Sequence, residues 1–150
     1  MNAVALRWPP KELSPNARSH YMTKHRATRA YRQAANYGGF GQQRLEKPVC
    51  VILPLVKDKR RRDLDNVLAA LKSALDGLTD CGWWTDDHLI GGYQLLPEIH
   101  CVGLTENRVI ILASEEGDLP QMNERVALFR SACAAGNVAT AARELFKTIL

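Results

Sequence analysis

Arg60-Arg61-Arg62-Asp63-Leu64-Asp65-Asn66 sets a block of cations directly against two acids, and a second acid pair, Asp86-Asp87, follows further along. Separated carboxylates suit Mg²⁺, a hard cation that takes oxygen ligands and shares its shell with substrate phosphates. The arginines beside them suit a phosphate backbone. Together these residues point to metal-dependent cleavage of a nucleic acid. An extended Asp63-Leu64-Asp65 would project both carboxylates to one side, because strand side chains alternate. A fully helical one would turn them about 200° apart. Shared ligation therefore predicts an extended or capping geometry at a helix entrance, with Asp65 as the cap and Asp63 just ahead of it. Lys72 follows Asp65 by seven residues. In one unbroken helix the two lie near one face, about 10 Å apart along the axis. The ammonium would neutralise charge developing on a scissile phosphate. If the turn Gly82-Trp83-Trp84-Thr85 returns to the helix start, Asp86 or Asp87 completes a metal site. A cation there would activate a water for attack on phosphorus and stabilise the leaving oxygen.

Each feature alone has a plainer explanation. An isolated D-x-D is usually a turn or a helix cap. Asp86-Asp87 reads as a solvated turn, Lys72 as an exposed helical lysine and Arg60 to Arg62 as a solvated loop. Asp76 and Asp80 read as the outer face or end of a helix. His20, His25, His88 and His100 lack metal-ligand spacing. Trp83 and Trp84 read as core or interface rather than as platforms for bases. The combination carries the nuclease reading.

The elements that must position these residues are legible in outline. Val4 to Trp8 reads as a strand ended by Pro9-Pro10. Residues 19–36 read as a helix, made basic by Lys24, Arg26, Arg29 and Arg32. Gly38-Gly39-Phe40-Gly41 breaks it and suits a flexible loop. Pro48 to Val56 reads as a strand, with Pro54 suggesting an edge or an early end. A helix starts near Asp63 or Asp65, carries Val67, Leu68, Leu71, Ala74, Leu75 and Leu78 on its apolar stripe, and ends near Asp80-Cys81-Gly82. Residues 88–96 and 107–113 read as two further strands. Pro120 to Cys133 and Val138 to Ile149 read as two helices joined at Ala135-Gly136-Asn137. Leu128, Phe129, Val138, Ala141, Leu145 and Phe146 would pack that hairpin together.

A chain of 150 residues with 46% hydrophobic content can bury a real core and is not generally disordered. Its charge is uneven. Residues 1–62 carry 14 Lys/Arg against 3 Asp/Glu, and residues 63–150 carry 6 against 13. A basic half facing an acidic cluster would hold a polyanion against a metal site. Cys50, Cys81, Cys101 and Cys133 form no C-x-x-C pair, which argues against zinc and for reduced thiols in a cytoplasmic protein. Arg7, Lys11 and Glu12 interrupt the start before any signal-peptide core, and no run approaches the roughly 18 apolar residues of a membrane span.

The motifs together resemble the RusA family of Holliday-junction resolvases, found in bacteria and their phages. Arg61-Arg62-Asp63-Leu64-Asp65-Asn66 leading into an apolar helix is the strongest match. Asp76-Gly77-Leu78-Thr79 and Gly82-Trp83-Trp84-Thr85-Asp86-Asp87 continue it, and the opening from Trp8-Pro9-Pro10 to His20 is similar to phage-type members. The resemblance covers residues 4 to about 113. It implies an α/β nuclease domain over residues 1–117, with a small mixed β-sheet and packed helices; the C-terminal helical hairpin expected over residues 118–150 lies outside the resemblance. It implies a homodimer that cuts four-way DNA junctions symmetrically in DNA recombination and repair, using Mg²⁺ or Mn²⁺. Asp63, Asp65 and Asp87 match the family's catalytic, metal-binding acids, with Asp86 beside the third. The family's lysine position is occupied here by Ala69, and Lys72, three residues later, takes the role. Lys24, Arg26, Arg29, Arg32, Arg60, Arg61 and Arg62 would bind phosphates without reading sequence. The expected setting is the cytoplasm of a bacterial or phage-infected cell, with no membrane partner. Two other readings compete: a nuclease for other branched DNA, and a non-catalytic DNA-binding or phage regulatory module.

Overall fold

The longest apolar run in the chain becomes the central strand β2 (Pro48–Val56). The computed structural model describes residues 1–101, 103–137, 141 and 143. Its elements in order are β1 (Asn2–Arg7), α1 (Tyr21–Gly39), β2, α2 (Leu64–Ala70), α3 (Lys72–Asp80), β3 (Gly92–Leu95), β4 (Ile99–His100), β5 (Arg108–Glu115) and α4 (Leu119–Ala134). The strands form one five-stranded mixed sheet with the path β1-β5-β2-β3, and β4 also pairs with β2. β5 runs antiparallel to both β1 and β2, whereas β3 and β4 run parallel to β2.

A strand that is apolar on both faces needs cover on both. Cys50 and Ile52 face one layer, with Val4, Leu6, Val109 and Ile111, under α1, α2 and α3. Val51, Leu53 and Leu55 face the other, with Ala3, Ile110 and Leu112, under α4. Helix α4 meets the sheet through Met122, Val126, Phe129 and Cys133, whose spacing places them on one stripe. Leu128, expected to pack a hairpin, is 54% exposed instead. The α4 end closes through Gly136 at φ 76°, with Asn137 N–H donating to Ala132 O and Gly136 N–H to Cys133 O. Ala141 is buried in the same layer as α4. Arg143 is exposed, and the rest of the second expected helix, including Val138, Leu145 and Phe146, lies outside the described residues.

Three local expectations need correction. Pro54 ends nothing: β2 continues to Val56 in the middle of the sheet. The carbonyls of Ile52 and Val56 accept from Leu96 and Cys101, so Pro54, two residues from each, turns its nitrogen to that same side. There β3 ends opposite Ile52 and β4 begins opposite Leu55, so no ladder bond is lost. Residues 87–89 form a 3₁₀ turn, and β3 begins only at Gly92. Gly38 and Gly39 are helical, the last residues of α1, and their lack of a side chain lets α1 close on Val4 of β1 at Gly38 and on α3 at Gly39. A β-carbon on Gly39 would stand 2.8 Å from Leu78 Cδ2 and 2.9 Å from Trp83 Nε1, and one on Gly77 would stand 2.1 Å from Arg32 O. Neither gap admits a methyl group.

The outer edge of β1 is closed by a side chain. Gln42 Oε1 accepts from Ala3 N–H at 2.8 Å and Gln42 Nε2 donates to Ala3 O at 2.9 Å, as a neighbouring strand would. All four cysteines are free thiols, and the buried Sγ atoms of Cys101 and Cys133 lie 2.9 Å apart. Among the described residues no helix is long and apolar enough to cross a membrane.

Candidate functional site

The expected single helix from Asp63 to Asp80 is divided at Leu71 (φ −79°, ψ −5°). Leu71 N–H is shared between the carbonyls of Val67 and Leu68, the tightening usual at a helix end. The division gives this face two helix starts, one at Asp63 and one at Lys72.

At the first start, Asp63 rather than Asp65 is the cap. Its backbone is extended (φ −88°, ψ 103°) while Leu64 and Asp65 are already helical, and its Oδ1 accepts from Asp65 N–H at 3.1 Å. Asn66 Nδ2 donates to Asp63 Oδ2 at 3.3 Å. Asp65 sits in the first turn, where a negative charge complements the helix dipole. Both carboxylates are exposed, and they border an open hollow with Arg61 and Arg62.

At the second start stands Lys72, the first residue of α3. Its ammonium lies between Asp76, at 2.8 Å, and the Asp87 carboxylate, to which it also donates. A cation at a helix N-terminus opposes the dipole; the two acids offset that. Hydrogen bonds to Asp76 and then Asp87 hold the Lys72 pKa well above the usual lysine range, so it is a fixed positive charge and not a base. Tyr93 lies within the field of this cluster, and burial, then Cys50 and Asp87, push its phenol up to about 12. Asp87 arrives because Trp83 and Trp84 are anchors: both are fully buried, with indole N–H groups donating to Gly39 O and Thr79 Oγ1 at 2.7 Å each. Asp86 caps the following turn. The His88 backbone N–H and then its side chain hold the Asp86 carboxyl down at about 2.

The turn therefore delivers Asp87 to Lys72 and Asp76. Among the described residues no three His, Cys, Asp or Glu side chains are gathered closely enough to hold a metal ion. The donor chemistry of Asp63, Asp65, Asp86 and Asp87 suits a hard cation, but the four do not stand as one assembled set.

The cations differ more than their sequence suggests. Lys24, Arg26 and Arg29 are exposed on α1. Arg32 is clamped by both oxygens of Asp80, at 2.6 and 2.8 Å. Arg60 and Arg61 are exposed. Arg62 is 13% exposed and spends its donors inside the fold, on Asp58 Oδ1 at 2.6 Å and Arg60 O at 2.9 Å. Its guanidinium also lies 5.6 Å from the centre of the Trp8 ring. Arg62 thus acts as a clamp on the loop before Asp63. Sequence reasoning missed this role, and it missed Asp76, which it left on an outer helix face although the i,i+4 spacing from Lys72 was a usable signal.

No family model matches this sequence, and no curated protein matches it.

Proposed function

We propose that the chain is a metal-dependent endonuclease of the RusA kind, with a RusA-like fold. It resolves four-way DNA junctions by paired, symmetric phosphodiester cleavage, as a homodimer in the cytoplasm of a bacterial or phage-infected cell. The observation that carries this reading is the meeting of Lys72 with Asp87 across 15 residues of sequence. It supports Lys72 in the role that Ala69 leaves vacant. Asp63, extended at a helix entrance beside exposed Arg60 and Arg61, supplies the other half of the arrangement.

On this reading Asp63, Asp65, Asp86 and Asp87 would hold Mg²⁺ or Mn²⁺, which when bound supplies an activated water and charge neutralisation. The rest of the work belongs to the chain itself. Asp63 is held at the surface as the helix cap, and Asp65 is exposed in the first turn behind it. Lys72 brings a permanent positive charge for the phosphate. Arg60, Arg61 and the exposed cations of α1 hold the backbone of the DNA. Two equivalent scissile strands in a junction suit two equivalent sites in a two-fold dimer.

The test is cleavage of a labelled four-way junction beside a linear duplex of the same sequence, with Mg²⁺ and then with EDTA. Symmetric nicks in the junction alone, lost with EDTA, are expected. A non-catalytic DNA-binding or phage regulatory module is the second reading. It is favoured by the structural use of two of the acids: Asp63 and Asp86 each accept from a backbone N–H as a cap. Junction binding without cutting in Mg²⁺ or Mn²⁺ would establish it, and equal cutting of other branched DNA would broaden the substrate.

A further inference from the structure

An open groove of about 280 Å³ runs from the first helix start to the loop after β1. Asp63 and Asn66 line one side, Trp8, Lys11 and Ser14 line another, and Val67 contributes an apolar patch. Trp8 is the one tryptophan of three that is not fully buried. Arg62 lines the groove too, its guanidinium over the Trp8 ring and its other donors clamped to Asp58, so the indole and the guanidinium together form one wall. A preformed wall loses little freedom on binding.

This lining has the character of a nucleobase: an aromatic wall for a flat face, an amide and a hydroxyl for a polar edge, and a lysine at the rim for the attached phosphate. The groove opens beside Asp63, among the cations that would hold DNA. We infer that it receives a single unstacked base of the DNA substrate, stacked on Trp8, with Lys11 on its phosphate. The inference rests on the proposed nuclease for its choice of polymer. It adds a source of selectivity for branched DNA. A base inside a duplex cannot show its face to Trp8 without leaving the stack, and that costs least where pairing is already interrupted.

The test needs no metal. A dye-labelled short oligothymidylate is titrated with the full chain in EDTA, following anisotropy and tryptophan emission. An abasic oligomer of the same length and charge is the control. Thymidylate is expected to bind and quench emission, which reports Trp8 because Trp83 and Trp84 are buried; the abasic strand should bind more weakly and quench little. Trp8→Leu should weaken thymidylate binding roughly tenfold, about 1.4 kcal/mol, and Trp8→Phe should retain most of it. Ser14→Phe, which fills the groove and leaves Trp8 in place, should weaken binding too, and it carries the test if Trp8→Leu does not fold by circular dichroism. Equal binding and quenching by the abasic strand, or unchanged affinity in the folded groove variants, overturns the inference. The outcomes separate from those of the nuclease assay. A chain that binds bases at Trp8 yet never cuts DNA keeps the groove and loses the nuclease. A chain that cuts junctions with Trp8→Leu unimpaired in base binding keeps the nuclease and loses the groove.

Discussion

On one face of the sheet, Met122, Val126, Phe129 and Cys133 of α4 close over Val51, Leu53 and Leu112. On the other, α1, α2 and α3 close over Cys50, Ile52 and Ile111. Both faces bury comparable apolar layers, yet every candidate catalytic side chain belongs to the second. The difference lies in how the helices begin and meet. Helix α4 is one stripe of apolar residues laid down once. On the opposite face the helix after β2 is divided at Leu71, which doubles the number of helix starts and gives each a charged side chain. Glycines at 39 and 77 let α1 close on α3, and the turn beyond α3 swings Asp87 onto Lys72. One face stabilises the fold, and the other stabilises it while holding charges at the surface.

The sharpest way to break this contrast is to exchange consequences between the faces. Asp63→Asn should lose junction cutting to below detection. Asn caps a helix about as well as Asp, so the melting transition should move by less than the equivalent of about 0.5 kcal/mol. Cutting retained by this variant would remove Asp63 from the site. Lys72→Ala should slow cutting roughly 10²–10³-fold in single-turnover assays, with partial recovery in Lys72→Arg.

Phe129→Ala on the α4 face should show the reverse. Denaturant unfolding should find a loss of about 3–5 kcal/mol, while molecules that remain folded cut at the wild-type rate. A slowed rate in folded Phe129→Ala would mean that the two faces are not independent. Gly77→Ala tests the catalytic face for structural cost, with an expected loss of about 3 kcal/mol because α1 and α3 must part.

The smallest expected effect concerns pH. The Asp86 carboxyl is held at about 2, against an unfolded value near 3.9. Its contribution is therefore complete above about pH 4 and lost as pH falls toward 2. Acid titration of stability should flatten slightly over that window in Asp86→Asn. Lys72 is shifted the other way, so its charge persists through neutral pH and is lost only above the ordinary lysine range. No lysine limb should appear in the neutral part of a pH–rate profile.

Much of the fold was legible in the sequence because burial writes a simple pattern. The run from Pro48 to Val56 marked β2 to the residue, and the periodic apolar positions marked α1, α4 and the helix after Asp63. The site was legible as residue types but not as an arrangement. Nothing in Ala70-Leu71-Lys72-Ser73 signals an interruption, since it contains neither proline nor glycine, so the division of the helix at Leu71 was not legible. Arg60, Arg61 and Arg62 look alike in sequence; only the positions of Asp58 and Trp8 make the third a clamp. Gly38-Gly39 looked like a loop because a close helix crossing depends on a partner far along the chain.

The Gln42 side chain that closes the edge of β1 also limits how two copies can meet. Ala3 already has the two backbone bonds that a visiting strand would supply, and a sheet cannot grow past it without first evicting a glutamine. Two-fold pairing by a continuous sheet across this edge would have to displace that side chain first. The same plug guards the edge at Ala3 against stacking into fibres from that side.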